Sequence, residues 1–179
     1  MDIVGPDRYY LTFNAESFSV QCSRGTDKFS GIATSKMPKI YVVSVKNRPI
    51  YVGVTKQSMR SRLRGGWDAY GMHGYHGYAW RHEHEAACLD IWAQRDAPDE
   101  NANLELETVE AEVVFLIRCA GQWPLSQTEI HFHPSTAEHR RVATEIASTY
   151  SIVFPEVAID EMVKEEGINR LNMSVRKKC

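Results

Sequence analysis

The sequence predicts an α+β domain built on a small three-stranded antiparallel sheet flanked by helices, and three observations carry that prediction. Residues 39–45, KIYVVSV, and 49–55, PIYVGVT, are β-branched and aromatic runs separated by the turn-forming KNR, the pattern of a hairpin. In ACLDIWAQR, Cys88, Asp90 and Trp92 alternate with Leu89, Ile91 and Ala93, which marks a third strand. Farther on, Val109, Val113, Leu116 and Ala120 recur at helical spacing as one apolar face. The expected organisation is an N-terminal extension over 1–35, a core over 36–133 and a C-terminal helical region over 134–179 packed on the core.

Taken in order, the first 35 residues are the least patterned, with one strand expected in YYLTF or SFSVQ. After the hairpin, Ser58 can cap a short helix, SMRSRLR. Met59 and Leu63 share one of its faces, Arg60 and Arg64 share another, and Gly65 and Gly66 are expected to stop it. The stretch WDAYGMHGYHGYAW has no sustained period and reads as an ordered loop, and DAPDENAN reads as an acidic turn after the third strand. The amphipathic helix is expected from Leu106 or Thr108 to Ala120, with Gly121 ending it. STAEHRRVATEIASTYS begins with a cap and reads as a further helix, and a last one is expected from Pro155 to Leu171.

With 179 residues, 43% of them apolar and 25% charged, the chain has the composition of one globular domain. No apolar run reaches membrane-spanning length, and MDIVGPDRYY lacks a secretory pattern, so a cytoplasmic location without membrane partners is expected. The four cysteines are scattered without a CxxC pair, which suggests neither a disulfide framework nor a thiolate zinc site. The net charge of −2 conceals a division along the chain. Between Asp27 and Asp68 there is no acid, while nine lysines and arginines fall there; from Glu83 to Glu112, ten acids face Arg95 as the one lysine or arginine.

The combination of Tyr41 in KIY, Tyr51 in YVG, Arg62 in RSRLR and Glu112 in AEVVFLIR resembles the GIY-YIG nuclease family of homing, restriction and repair endonucleases. The likeness spans about residues 38–128. Lys39 stands where the family has its first glycine, and Arg62 follows Tyr51 at the family's spacing. Glu112 is preferred to its neighbour Glu110 as the metal-binding carboxylate by its offset from the FLI run. Pro124 and Gln127 approximate the family's late proline and asparagine. The resemblance implies a three-stranded antiparallel sheet between helices, one Mg2+ for which Mn2+ can substitute, and hydrolysis of a nucleic-acid phosphodiester.

Those residue types suit that reaction. One carboxylate together with phosphate oxygens and water is a normal home for Mg2+, and the ion can stabilise both the phosphate and the departing 3′-oxygen. Arg62 offers a fixed fork of donors to a phosphate oxygen. The resemblance assigns the general-base role to Tyr41 and an orienting role to Tyr51. A phenol is roughly 0.1% ionised at neutral pH, so the surrounding cations are expected to lower its pKa. Lys39, Lys56, Arg60 and Arg64 are candidates for gripping phosphates. Many members carry a histidine a turn after the arginine; here Gly65 and Gly66 stand there, and His73 or His76 is the candidate to fold back. Glu129 is a further polar candidate. His82, His84, His131 and His133 raise a zinc alternative at spacing unlike a zinc finger.

The expected function is therefore a metal-dependent endonuclease acting on double-stranded DNA, with restriction or defence as its role. The alternative is a binding module that keeps the fold and no longer cleaves. One such site cuts one strand at a time, so cutting a duplex takes a homodimer or two encounters.

Overall fold

A computed structural model of the chain describes residues 1–23, 25–69, 76–95, 102–122, 124, 126–127 and 130–150. Its sheet has five antiparallel strands rather than three. They are β1 (Ile3–Phe13), β2 (Phe18–Cys22), β3 (Lys39–Val45), β4 (Arg48–Thr55) and β5 (Ala86–Gln94), in the order β2-β1-β5-β3-β4. The extra pair comes from residues 1–35, which form part of the sheet instead of an appendage to it. Tyr9, Leu11 and Phe13 alternate inward along β1 and are buried, whereas Tyr10 and Thr12 between them are exposed. That period is easily missed because YYLTF is apolar or aromatic at nearly every position.

The β3–β4 hairpin turns through two residues, not three. Lys46 and Asn47 both take positive φ, 50° and 61°, as a tight hairpin loop requires, and Arg48 already pairs with Val45. On one face of the sheet, α2 (Ala102–Cys119) and α3 (Ala137–Ala147) pack Val109, Val113, Ile117, Val142 and Ile146 against Ile40, Val42, Val52 and Trp92. On the other, α1 (Met59–Asp68) and a 3-10 segment, His76–His82, cover Tyr41, Tyr51, Leu89 and Ile91. The six residues from Lys39 to Ser44 are all buried, because β3 carries a core on each side.

Ser58 caps α1, its side chain accepting from Ser61 N, but Gly65 and Gly66 do not end the helix. It continues to Asp68 and thereby buries Trp67, whose ring lies 5.0 to 5.9 Å from those of Phe13, Phe18, Tyr78 and Trp80. The aromatic packing outweighs the roughly 1 kcal/mol helix penalty of each glycine. Helix α2 starts a turn earlier than its apolar period suggests, through Ala102, Asn103, Leu104 and Glu105. Thr136 and His139 form a capping box at the start of α3, and His139 Nε2 lies 2.7 Å from Glu105 Oε2, which pins α3 to α2. The helix expected over 155–171 lies outside the described residues. No helix among the described residues is long and apolar enough to cross a membrane.

At the middle of the sheet, fully buried Asp90 accepts two hydrogen bonds from Arg8, at 2.6 and 2.9 Å, and one from Tyr150 at 2.9 Å. Burial and the adjoining carboxylate both push the Tyr150 phenol upward, and the carboxylate holds Arg8 charged. Replacing Arg8 with Met should leave Asp90 as a buried charge and destabilise the fold by about 3 kcal/mol. This is the lower end for a broken buried pair, because the guanidinium itself reaches solvent. Denaturant unfolding measures it, and a loss under about 1 kcal/mol would count against this account.

Candidate active site

The register of the hairpin sets Tyr41 opposite Gly53, with Tyr51 two residues back along β4. Such diagonal neighbours can touch across a pair of strands, and the two rings are 5.9 Å apart. Glycine at position 53 is a steric requirement. A Cβ there would come within 2.7 Å of Tyr41 Cζ and Oη and 2.9 Å of Tyr51 Cε1. In YVG, the glycine thus makes room for the tyrosine hydroxyl on the facing strand.

Helix α1 brings Arg62 to the same point, one face around from buried Met59 and Leu63, and its Nε donates to Tyr41 Oη at 3.2 Å. A second phenol meets it there. Tyr78 Oη, from the 3-10 segment, is 2.9 Å from Tyr41 Oη, and its ring lies 5.6 Å from that of Tyr51. Tyr78 reaches this position by lying in a notch at Gly66. A Cβ on Gly66 would fall 1.5 Å from Tyr78 Cδ2 and Cε2. The glycine pair read as a helix stop is, at Gly66, the seat of an aromatic ring. Tyr78 was not singled out among the eight tyrosines, and its sequence signal is faint, an aromatic in a glycine-rich loop.

Of the two candidate carboxylates, Glu110 is the one at this cluster. Its negative charge acts on both Tyr41 and Arg62, and its Oε1 lies 3.4 Å from Gln127 Nε2. Gln127 Oε1 in turn accepts from Val52 N at 3.0 Å, on the outer edge of β4. Gln127 therefore does two things: it covers an open strand edge and holds the glutamate. Glu112 is two residues on, about 200° around the helix, and lines a groove with Phe115, Phe132, His133 and Arg140 instead. The offset from the FLI run selects the wrong side of α2 for the Tyr41 cluster.

The remaining candidates divide. Lys56, Arg60 and Arg64 are exposed, and Arg60 lines a shallow hollow with Lys28, Thr34 and Ser58. Lys39 is not a surface cation. Its side chain is buried, and Nζ donates to the carbonyls of Ser35 at 2.8 Å and Gln57 at 3.0 Å, tying the entry of β3 to the exit of β4. Position 39 here has a structural job where the family has glycine. His73 and Glu129 lie outside the described residues, and of His76 only the backbone is described. His131 and His133 face Glu107, at 3.9 and 3.4 Å, and His82 accepts from Arg81. Among the described residues, no three histidine, cysteine, aspartate or glutamate side chains are grouped to hold a metal ion. Glu110 could offer one hard carboxylate oxygen donor, which would suit a largely hydrated Mg2+ and not a zinc cage.

The electrostatics correct a further expectation. Tyr41 is fully enclosed, and burial pushes its phenol above the ordinary value of 10; the Arg62 charge and the hydrogen bonds shared with Tyr78 and Arg62 pull it back only in part. Burial also works against the charge on Arg62, but Tyr41, Tyr78 and Glu110 together hold the guanidinium more firmly than in water. Compared with protein-family models, with curated proteins and with solved structures, the chain has no match.

Two outcomes follow from this packing. Gly66→Ala should unseat Tyr78 and lower stability by about 1–3 kcal/mol, with a change in near-ultraviolet aromatic dichroism; an unchanged spectrum and melting point would contradict the notch. The second concerns Lys39, which burial lowers from 10.5 to about 8. Between those values the unfolded chain binds more protons than the folded one, so the contribution of Lys39 to stability rises with pH and is least favourable below about 8. Wild type should gain stability relative to Lys39→Met across that window. A flat difference between the two denaturation curves would refute it.

Proposed function

We propose that the chain is a divalent-cation-dependent endonuclease of the GIY-YIG kind that hydrolyses DNA phosphodiesters. The observation that carries this reading is Arg62 Nε at 3.2 Å from Tyr41 Oη, within a stretch of 40 residues without an acid and in electrostatic reach of the Glu110 carboxylate. Arginine is among the side chains least often buried, and Arg62 is partly buried on the Tyr41 phenol. This placement fits a site where a phosphate arrives and a proton leaves.

In the proposed reaction a water oxygen bonds to phosphorus, the bond from phosphorus to the 3′-oxygen breaks, and the electron pair leaves on that oxygen. Tyr41, as phenolate, takes the proton from the water. Arg62 meets the charge that develops on the phosphate, and Tyr51 holds the Tyr41 ring in place from the next strand. Glu110, steadied by Gln127, is the residue that would hold Mg2+. Bound there, the ion supplies charge stabilisation for the scissile phosphate. Exposed Lys56, Arg60 and Arg64 extend the cationic surface along the duplex backbone.

A second reading is favoured by one observation: Tyr41 is enclosed and held in its protonated form. A chain that binds nucleic acid through its exposed cations and does not cut needs nothing more. Incubation with supercoiled plasmid and Mg2+ or Mn2+ separates the two. Cleavage should rise with pH through the neutral and mildly alkaline range, as the phenolate becomes populated. Tyr41→Phe and Glu110→Ala should lose about 10²- to 10⁴-fold in rate, and Glu112→Ala should retain it. If wild type retards the plasmid in a gel and never nicks it, the binding module is the correct reading. If Glu112→Ala abolishes cutting and Glu110→Ala does not, the carboxylate belongs to the other face of α2.

A further inference from the structure

We infer that Tyr78 is a positioning residue for Tyr41: with Arg62 it forms a two-donor cradle that favours the anionic form of the Tyr41 oxygen. The inference rests on the reading of Tyr41 as a base, and its geometry stands independently of that reading. Arg62 Nε can only donate, so at 3.2 Å it occupies one lone pair of Tyr41 Oη. The Tyr78 hydroxyl, 2.9 Å away, can either give or take a proton. While both phenols are neutral, either orientation satisfies the pair. Once Tyr41 has lost its proton, Tyr78 must donate, and the oxygen then receives one hydrogen bond from each side.

Rigidity makes this more than a chance contact. The Tyr78 ring is seated in the Gly66 notch and stands against Trp67 and Trp80, at 5.9 and 5.5 Å, and against Tyr51. It does not have to be recruited when charge develops, and a donor already in place costs no reorganisation. The charged and titratable groups around Tyr41 come from every element that packs there: Arg62 from α1, Tyr51 from β4, Tyr78 from the 3-10 segment and Glu110 from α2. Of these, Glu110 opposes a phenolate and Arg62 supports it, and Tyr78, whose hydroxyl lies 2.9 Å from Tyr41 Oη, is a neutral donor that adds to Arg62.

The test places a fluorinated tyrosine, which is more acidic than tyrosine, at position 41 and follows its ionisation by fluorine NMR in the full chain without DNA. In Tyr78→Phe, which keeps the ring in its notch, the midpoint should move up by about one pH unit, a tenfold loss of acidity. A residue that merely fills space would alter the melting temperature and leave that midpoint where it was. An unchanged midpoint in a folded Tyr78→Phe protein overturns the inference. Should plasmid stay uncut under every condition, the endonuclease reading falls, while the NMR midpoint still decides the role of Tyr78. Where plasmid is cut, the alkaline rise in rate should shift by the same amount in Tyr78→Phe.

Discussion

The buried carboxylate of Asp90 is the constraint from which the rest of the architecture follows. It stands on β5, the central strand, and takes its hydrogen bonds from Arg8 on β1 and Tyr150 just beyond α3. A charge removed from water in this way is tolerable only with close partners in fixed places. Meeting that need draws the N-terminal strands into the sheet and closes the end of α3 over it. The strand so anchored is also the partner of β3, with Tyr41 opposite Ile91. The position of the candidate base is thus inherited from an ion pair on the other face of the sheet.

Around Tyr41 the governing factor is close approach. Two glycines, at 53 and 66, each leave the space of one side chain, and an aromatic group fills it: the Tyr41 hydroxyl end in one case and the Tyr78 ring in the other. The result is a cluster of buried phenols with the partly exposed Arg62 guanidinium beside it, where electrostatic interactions are strong and mispairing is costly. Lys39 belongs to the same economy of space. Its ammonium holds two carbonyls inside the fold and lies beyond the reach of a polyanion.

Much of the central hairpin was legible because β-branched runs, a short turn and alternating burial are local properties. The same holds for the Ser58 cap and the apolar face of α2. The N-terminal strands were hard to read for a physical reason: YYLTF hides its alternation among residues that are nearly all apolar or aromatic. Gly65 and Gly66 misled for another. Local propensity says that a helix stops there, but burial of Trp67 carries it on. At the site, the spacing of Tyr41, Tyr51 and Arg62 was readable, while the choice between Glu110 and Glu112 was not. Two residues along a helix change the side of the molecule, and an offset from a hydrophobic run does not register which side faces the sheet edge.

The sequence by itself determined the hairpin, the capped arginine-bearing helix and the absence of acid from 28 to 67, since composition, turn chemistry and periodicity act over a few residues. Only the tertiary structure decided that five strands share one sheet, that Glu110 and Gln127 stand at the open edge of β4, that Lys39 is buried and that Tyr78 meets Tyr41. Each of these joins residues distant along the chain. Their contacts depend on strand order, helix facing and the room left by a missing Cβ, none of which is a local property of the sequence.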